Sequence, residues 1–287
     1  MPSHPSKDDR QPIPRPGACP PADGRFYDLA ERYLDGTMRL NPFIATYLGY
    51  HAYDPLLDDM TPQGLAEKLD FYRDARKTFA AVAPAGLSVG AAIDLDLIRT
   101  DIESNLFNLT ELKPHENDPQ TYNDIIGYGT LYLTILEDGS PQWPDRLDAL
   151  LSRMRALPGF LAAAKSNLTT PAPVITQFII DQNPGNLAFF EQALPPLFAR
   201  YPALKAKFDR EQPKVLAALR EYQSFLETDL KRRSTGDWRL GRELWTRKLQ
   251  LALQSDLSPE EIEARAWSAL TATRQEMLQL ALPLHEK

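Results

Sequence analysis

The chain has 287 residues, 43% apolar and 25% charged, long enough to bury a substantial core in one large domain or two small ones. Its net charge of -7 disfavours a general nucleic-acid binder or a ligand for acidic membranes. No apolar run approaches the roughly 18 residues that cross a bilayer. Cys19 is the single cysteine, so no intrachain disulfide can form and a reducing, cytoplasmic location is expected.

Residues 1–23 carry seven prolines and hardly any large apolar side chains. Such a segment cannot offset its ordering entropy by burial, which predicts a disordered tail with order beginning near Arg25-Phe26. The first ten residues also lack the apolar stretch of a secretory signal. Beyond the tail the apolar spacing is helical almost throughout. Phe26, Leu29, Ala30, Tyr33 and Leu34 mark one helix face. Asn41-Pro42 and Thr61-Pro62 pair a capping residue with proline at the first helical position, each predicting a helix start. Leu95, Ile98, Ile102, Leu106 and Leu109 form a stripe within 89–111.

Pro144-Asp145 predicts a helix that buries Leu147, Leu150, Leu151 and Met154, with Pro158 near its end. Pro173 to Ile180 is ambiguous between strand and helix, and Asn183-Pro184 predicts a further start. Two long helices are predicted next, over about 202–232 and 239–254. Ser258-Pro259-Glu260-Glu261 then has the form of a capping box. The fold class expected is all-α, an irregular array of unequal helices with no short-period repeat.

Several polar groups are candidates for chemistry. His51, Tyr53 and Asp54 share one loop and could hydrogen-bond a peptide-like ligand; the plainer account is a capped helix turn with Asp54 in a bend ahead of Pro55. Tyr122, Asn123 and Tyr128, near Gly127 and Gly129, could line a substrate cleft, or be core aromatics beside a helix-breaking turn. His115-Glu116 reads as a solvated turn, and Asp94, Asp96, Asp101 and Glu103 as a solvated helix face. Gly86-Leu87-Ser88-Val89-Gly90 matches the nucleophile pattern Gly-x-Ser-x-Gly, yet that motif needs a strand before the serine. With none predicted, Ser88 is expected to cap the next helix. The four histidines have no pair at a spacing of three or four residues, so no metal site is predicted from this sequence.

Taken in order, Asn41-Pro42, Ala45-Thr46, Leu48-Gly49, His51, Tyr53-Asp54, Asp94 to Leu97, Asp118-Pro119, Tyr122, Leu157-Pro158, Asn167-Leu168, Pro171 to Pro173, and the segment Asp237 to Trp245 resemble a large bacterial family known as domain of unknown function 885. The resemblance covers about residue 24 to the end and implies the first half of a longer, all-helical, zinc-dependent peptidase-type hydrolase. It also implies that the family's zinc motif, His-Glu followed by a second histidine on the same helix, lies further along than these residues. His285-Glu286 does not correspond to it. The activity expected of the chain alone is therefore none. Its expected partner is a second half carrying the metal, or another copy of itself; a binding or scaffold protein is the alternative.

Overall fold

Proline decides where most of these helices begin. The computed structural model describes residues 21–137 and 139–285, and among these every regular element is helical, as the periodicity predicts. The tail expected over 1–23 falls mainly outside the described residues. Its last three positions, however, belong to α1, Pro21–Leu40. The remaining helices in the first half are α2, Pro42–Tyr47, α3, Pro62–Ala80, α4, Val89–Phe107, α5, Pro114–Asn117, and α6, Pro119–Leu131. A 3-10 turn, His51–Tyr53, lies between α2 and α3. Then come α7, Trp143–Asn167, α8, Pro173–Ala188, α9, Leu194–Ala199, α10, Pro202–Phe225, α11, Lys231–Arg233, α12, Gly241–Leu253, and α13, Pro259–His285. Proline opens most of them because the first-turn N–H has no intrahelical partner to lose.

Caps match the sequence closely, with one exception. Thr61 Oγ1 accepts from Gly64 N at 3.1 Å, and Ser88 Oγ from Ala91 N at 3.3 Å. Ser258 and Glu261 exchange bonds reciprocally, at 3.2 and 2.8 Å, as a capping box does. Asn41 does not cap α2. Its amide donates instead to Thr37 O at 2.9 Å and to the Tyr72 hydroxyl at 3.2 Å, fixing the α1–α2 corner onto α3.

Two expectations about the second half need correction, both because a proline is tolerated inside a helix. Asn183-Pro184 does not open a helix: α8 runs through it, and the ambiguous stretch from Pro173 is its first half. Pro184 cannot donate to Ile180 O; Gln223 of α10 supplies that bond from Nε2 at 3.1 Å, while its Oε1 accepts from Asn183 at 2.9 Å. Pro158 likewise sits inside α7, which continues to Asn167. The helix expected over 202–232 is present, helical from Pro202 to Arg233, with one π turn in it at Leu226–Leu230. Another π turn, Phe189–Ala193, leads into Pro195 and Pro196, whose missing donors break the regular ladder.

Two apolar clusters result within the described residues up to Trp238, which form one compact unit. Phe26, Tyr33, Tyr72, Phe79, Leu95 and Ile102 pack α1, α3 and α4 together. Ile126, Leu150, Met154, Phe190, Phe208 and Leu219 join α6 through α10, with α7 lying against α10. Residues 239–287 form a second unit carrying α12 and α13, and none of its described residues is buried. No described helix is long and apolar enough to cross a membrane.

Candidate functional site

Where α2 turns over, the chain aims a loop of polar residues at one face of α7. A cavity of about 340 Å³ opens there, lined by Gly49, Tyr50, His51, Asp54, Gln142, Asp145 and Arg146 among others. Arg146 and Arg153 lie two turns apart on α7, so their side chains leave the same face of the helix. Arg146 Nη1 donates to Asp54 Oδ2 at 2.5 Å and lies 2.5 Å from His51 Nδ1. His51 Nδ1 is 3.3 Å from Asp54 Oδ1. A guanidinium can only donate, so toward Arg146 the His51 Nδ1 is the acceptor.

Arg153 organises the loop from beneath. It is fully buried, and donates to Asp54 O at 2.7 Å, to Thr46 Oγ1 at 2.5 Å, to Pro42 O at 3.3 Å and to Gly129 O. Thr46 donates its own proton to Asp54 Oδ1 at 2.8 Å. One network therefore runs from Arg153 through Thr46 and Asp54 to Arg146 and His51. Desolvation pushes the Arg153 guanidinium down to about 10, against the pull of Asp54 and Asp58. Arg153 thus remains charged at neutral pH. The exposure decides the roles: Asp54 and Arg146 side chains are 6% and 10% exposed, whereas His51 is 43% exposed and stands at the rim.

The structure brings together only part of the predicted set. His51 and Asp54 meet in this cavity. Tyr53 is buried and turned away, its hydroxyl donating to Asp35 Oδ1 at 2.8 Å. Tyr122 is buried in the core, donating to His115 O at 2.7 Å and accepting from Asn167 at 3.0 Å. Asn123 accepts from Asn186 of α8 at 2.7 Å, a joint between helices. Tyr128 is half-exposed and tilted against Tyr132. Gln142, Arg146 and Arg153 join the site without any local signal in the sequence to mark them.

Other polar groups also depart from expectation. His115 is not solvated: its side chain is 12% exposed and lines a second cavity of about 360 Å³. Asp94 accepts from Tyr27 at 2.7 Å and Asp101 accepts from Tyr33, so this acidic face fastens α1 to α4. Ser88 sits at a helix N-cap with no strand before it, as expected.

Among the described residues no group of three or more His, Cys, Asp or Glu side chains is placed to hold a metal ion. In the first cavity the Arg146 guanidinium occupies the position between His51 and Asp54 that a cation would take. These residues do not fit a zinc site. They fit a polar ligand offering both donors and acceptors.

The family described as bacterial protein of unknown function, DUF885, matches residues 42–287. A solved structure, that of "a putative lipoprotein of unknown function from Shewanella oneidensis", is similar at a TM-score of 0.78 and 26% identity. The similarity covers 89% of this chain and 47% of that one, so the chain spans about half the length of this structural relative. No curated protein matches the chain.

Proposed function

The chain belongs to the bacterial family of unknown function DUF885, and we propose that it is the ligand-binding, helical portion of a zinc-dependent peptidase-like hydrolase. The observation that carries this reading is the cavity built by His51, Asp54 and Arg146 over the buried Arg153. A charge-neutral pair of Asp54 and Arg146 at its base, with His51 at its rim, offers hydrogen bonds of both senses to a peptide backbone. The catalytic metal belongs to a motif outside this sequence. In this proposal the chain's own residues bind and orient the ligand. Part of the proposal is a cytoplasmic location, with which a single cysteine is compatible.

The test combines turnover with binding. The isolated chain, supplied with zinc and a mixture of short peptides, is expected to bind them without cleaving them. His51→Ala is expected to weaken binding by about threefold to tenfold, the effect of one lost hydrogen bond. Zinc-dependent hydrolysis by the isolated chain overturns the reading, as does peptide binding indifferent to His51→Ala.

A second reading, a helical scaffold that pairs with itself or with a separate second half, is favoured by α13. Trp267, Leu270, Met277, Leu278 and Leu280 are all exposed along it. Apolar patches of that kind promote association.

A further inference from the structure

The second cavity lies at the seam between the two apolar clusters. Tyr72 and Leu109 on its wall come from the cluster around α3 and α4; Met60 and Ile125 come from the other. Three charged groups line this space: Asp58 is engaged, while Lys68 and Asp124, on different helices, have little to hold. Lys68 of α3 has a side chain only 9% exposed, and among the described residues its one partner is Asp58 at 3.5 Å. Asp58 is itself occupied, accepting from Phe43 N at 3.0 Å. An ammonium has three donors, so two remain uncommitted in a place nearly closed to water. Asp124 of α6 leans on Gln120 of its own helix, with no cation against it among the described residues.

These two groups select the ligand between them. A simple anion would satisfy Lys68 and be repelled by Asp124. A simple cation would satisfy Asp124 and leave the ammonium's donors without acceptors. Leaving donors of a nearly buried ammonium unmet is costly. Phe43, Leu65 and Ile125 supply apolar wall, and about 360 Å³ is near the lower end of small-molecule pockets, of about 300 Å³. We infer that the cavity binds a free α-amino acid with an apolar side chain as its zwitterion, ammonium on Asp124 and carboxylate on Lys68. This inference stands apart from the peptide-binding cavity and requires no hydrolysis.

The surroundings agree with it. Burial pushes the His115 imidazole pKa down, with Lys113 and Lys68 adding to the effect against the pull of Glu116. His115 therefore contributes no cation at neutral pH, and Lys68 is the positive charge on the wall. Burial together with Asp118 raises the Asp124 carboxyl above its ordinary value. A bound ammonium would relieve that.

Calorimetric titration of the full chain with L-leucine, N-acetyl-L-leucine and L-leucinamide tests the inference. Leucine should bind saturably. Each blocked form, lacking one charge, should bind at least about tenfold more weakly, as loss of a charge-assisted bond predicts. Lys68→Met and Asp124→Asn should each weaken leucine by a similar factor. Asp124 is partly exposed, so its variant tests binding even where Lys68→Met fails to fold. Bound leucine should also lower the Asp124 pKa followed by NMR. The inference is overturned by absence of saturable leucine binding, by equal binding of the blocked forms, or by unchanged affinity in Asp124→Asn.

Discussion

Arg153 shows how much one side chain can decide. With no exposed surface, it meets oxygen atoms from Pro42, Thr46, Asp54 and Gly129, residues drawn from α2, its following turn and α6. Replacing it with methionine keeps much of the volume but leaves those oxygens unpaired in a dry site. Arg153→Met should cost about 3–5 kcal/mol, since several buried oxygens lose their donor at about 1–3 kcal/mol each, read as a lower midpoint in urea. The candidate site was legible in sequence only where its members are neighbours. His51 and Asp54 belong to one turn, so a loop of polar residues pointed to them. Arg146 reaches Asp54 from 92 residues away. In sequence it is a cation beside an apolar stripe, and most such cations are solvated. Tyr53 and Tyr122 looked equally suitable for a cleft, but their partners, Asp35 and the His115 carbonyl, turn them inward.

At the scale of elements, helix starts were legible because caps and proline act within four residues. Thr61, Ser88 and Ser258 all cap where their sequence places them. Ser88→Ala should therefore destabilise the chain by about 1 kcal/mol through α4, and leave peptide binding unchanged. A thermal melt beside the binding assay checks both, and lost binding at unchanged stability would revive the Gly-x-Ser-x-Gly reading. Helix interiors were less legible. Pro184 reads as a start signal because proline usually forfeits a backbone bond inside a helix. Gln223, from another helix, removes that penalty, and nothing near Pro184 announces it.

For the whole molecule, residues 1–238 and 239–287 make separate claims on stability. The first unit contains both apolar clusters. Its last turn is tied back by Arg233 to Leu168 O and Thr169 O, both at 3.0 Å, and by Ser234 to Thr176 at 2.7 Å. The second unit has no buried described residue, so its helices depend on local bonds such as the Ser258–Glu261 box. The chain should associate as concentration rises. Replacing Leu278 and Leu280 together with glutamate should return it to monomer, measured by sedimentation equilibrium. A monomer at all concentrations would remove self-pairing from the scaffold reading, leaving only a separate second half as its partner.

Sequence alone determined the all-helical class, the caps, the family resemblance and the absence of paired histidines, because helix periodicity, capping and ligand spacing are short-range properties. Only the tertiary structure decided that Arg146, Arg153 and Lys68 are buried and what they face. The free energy of a buried charge depends on the partners that folding brings to it, and those partners lie on other helices, beyond the reach of any local pattern.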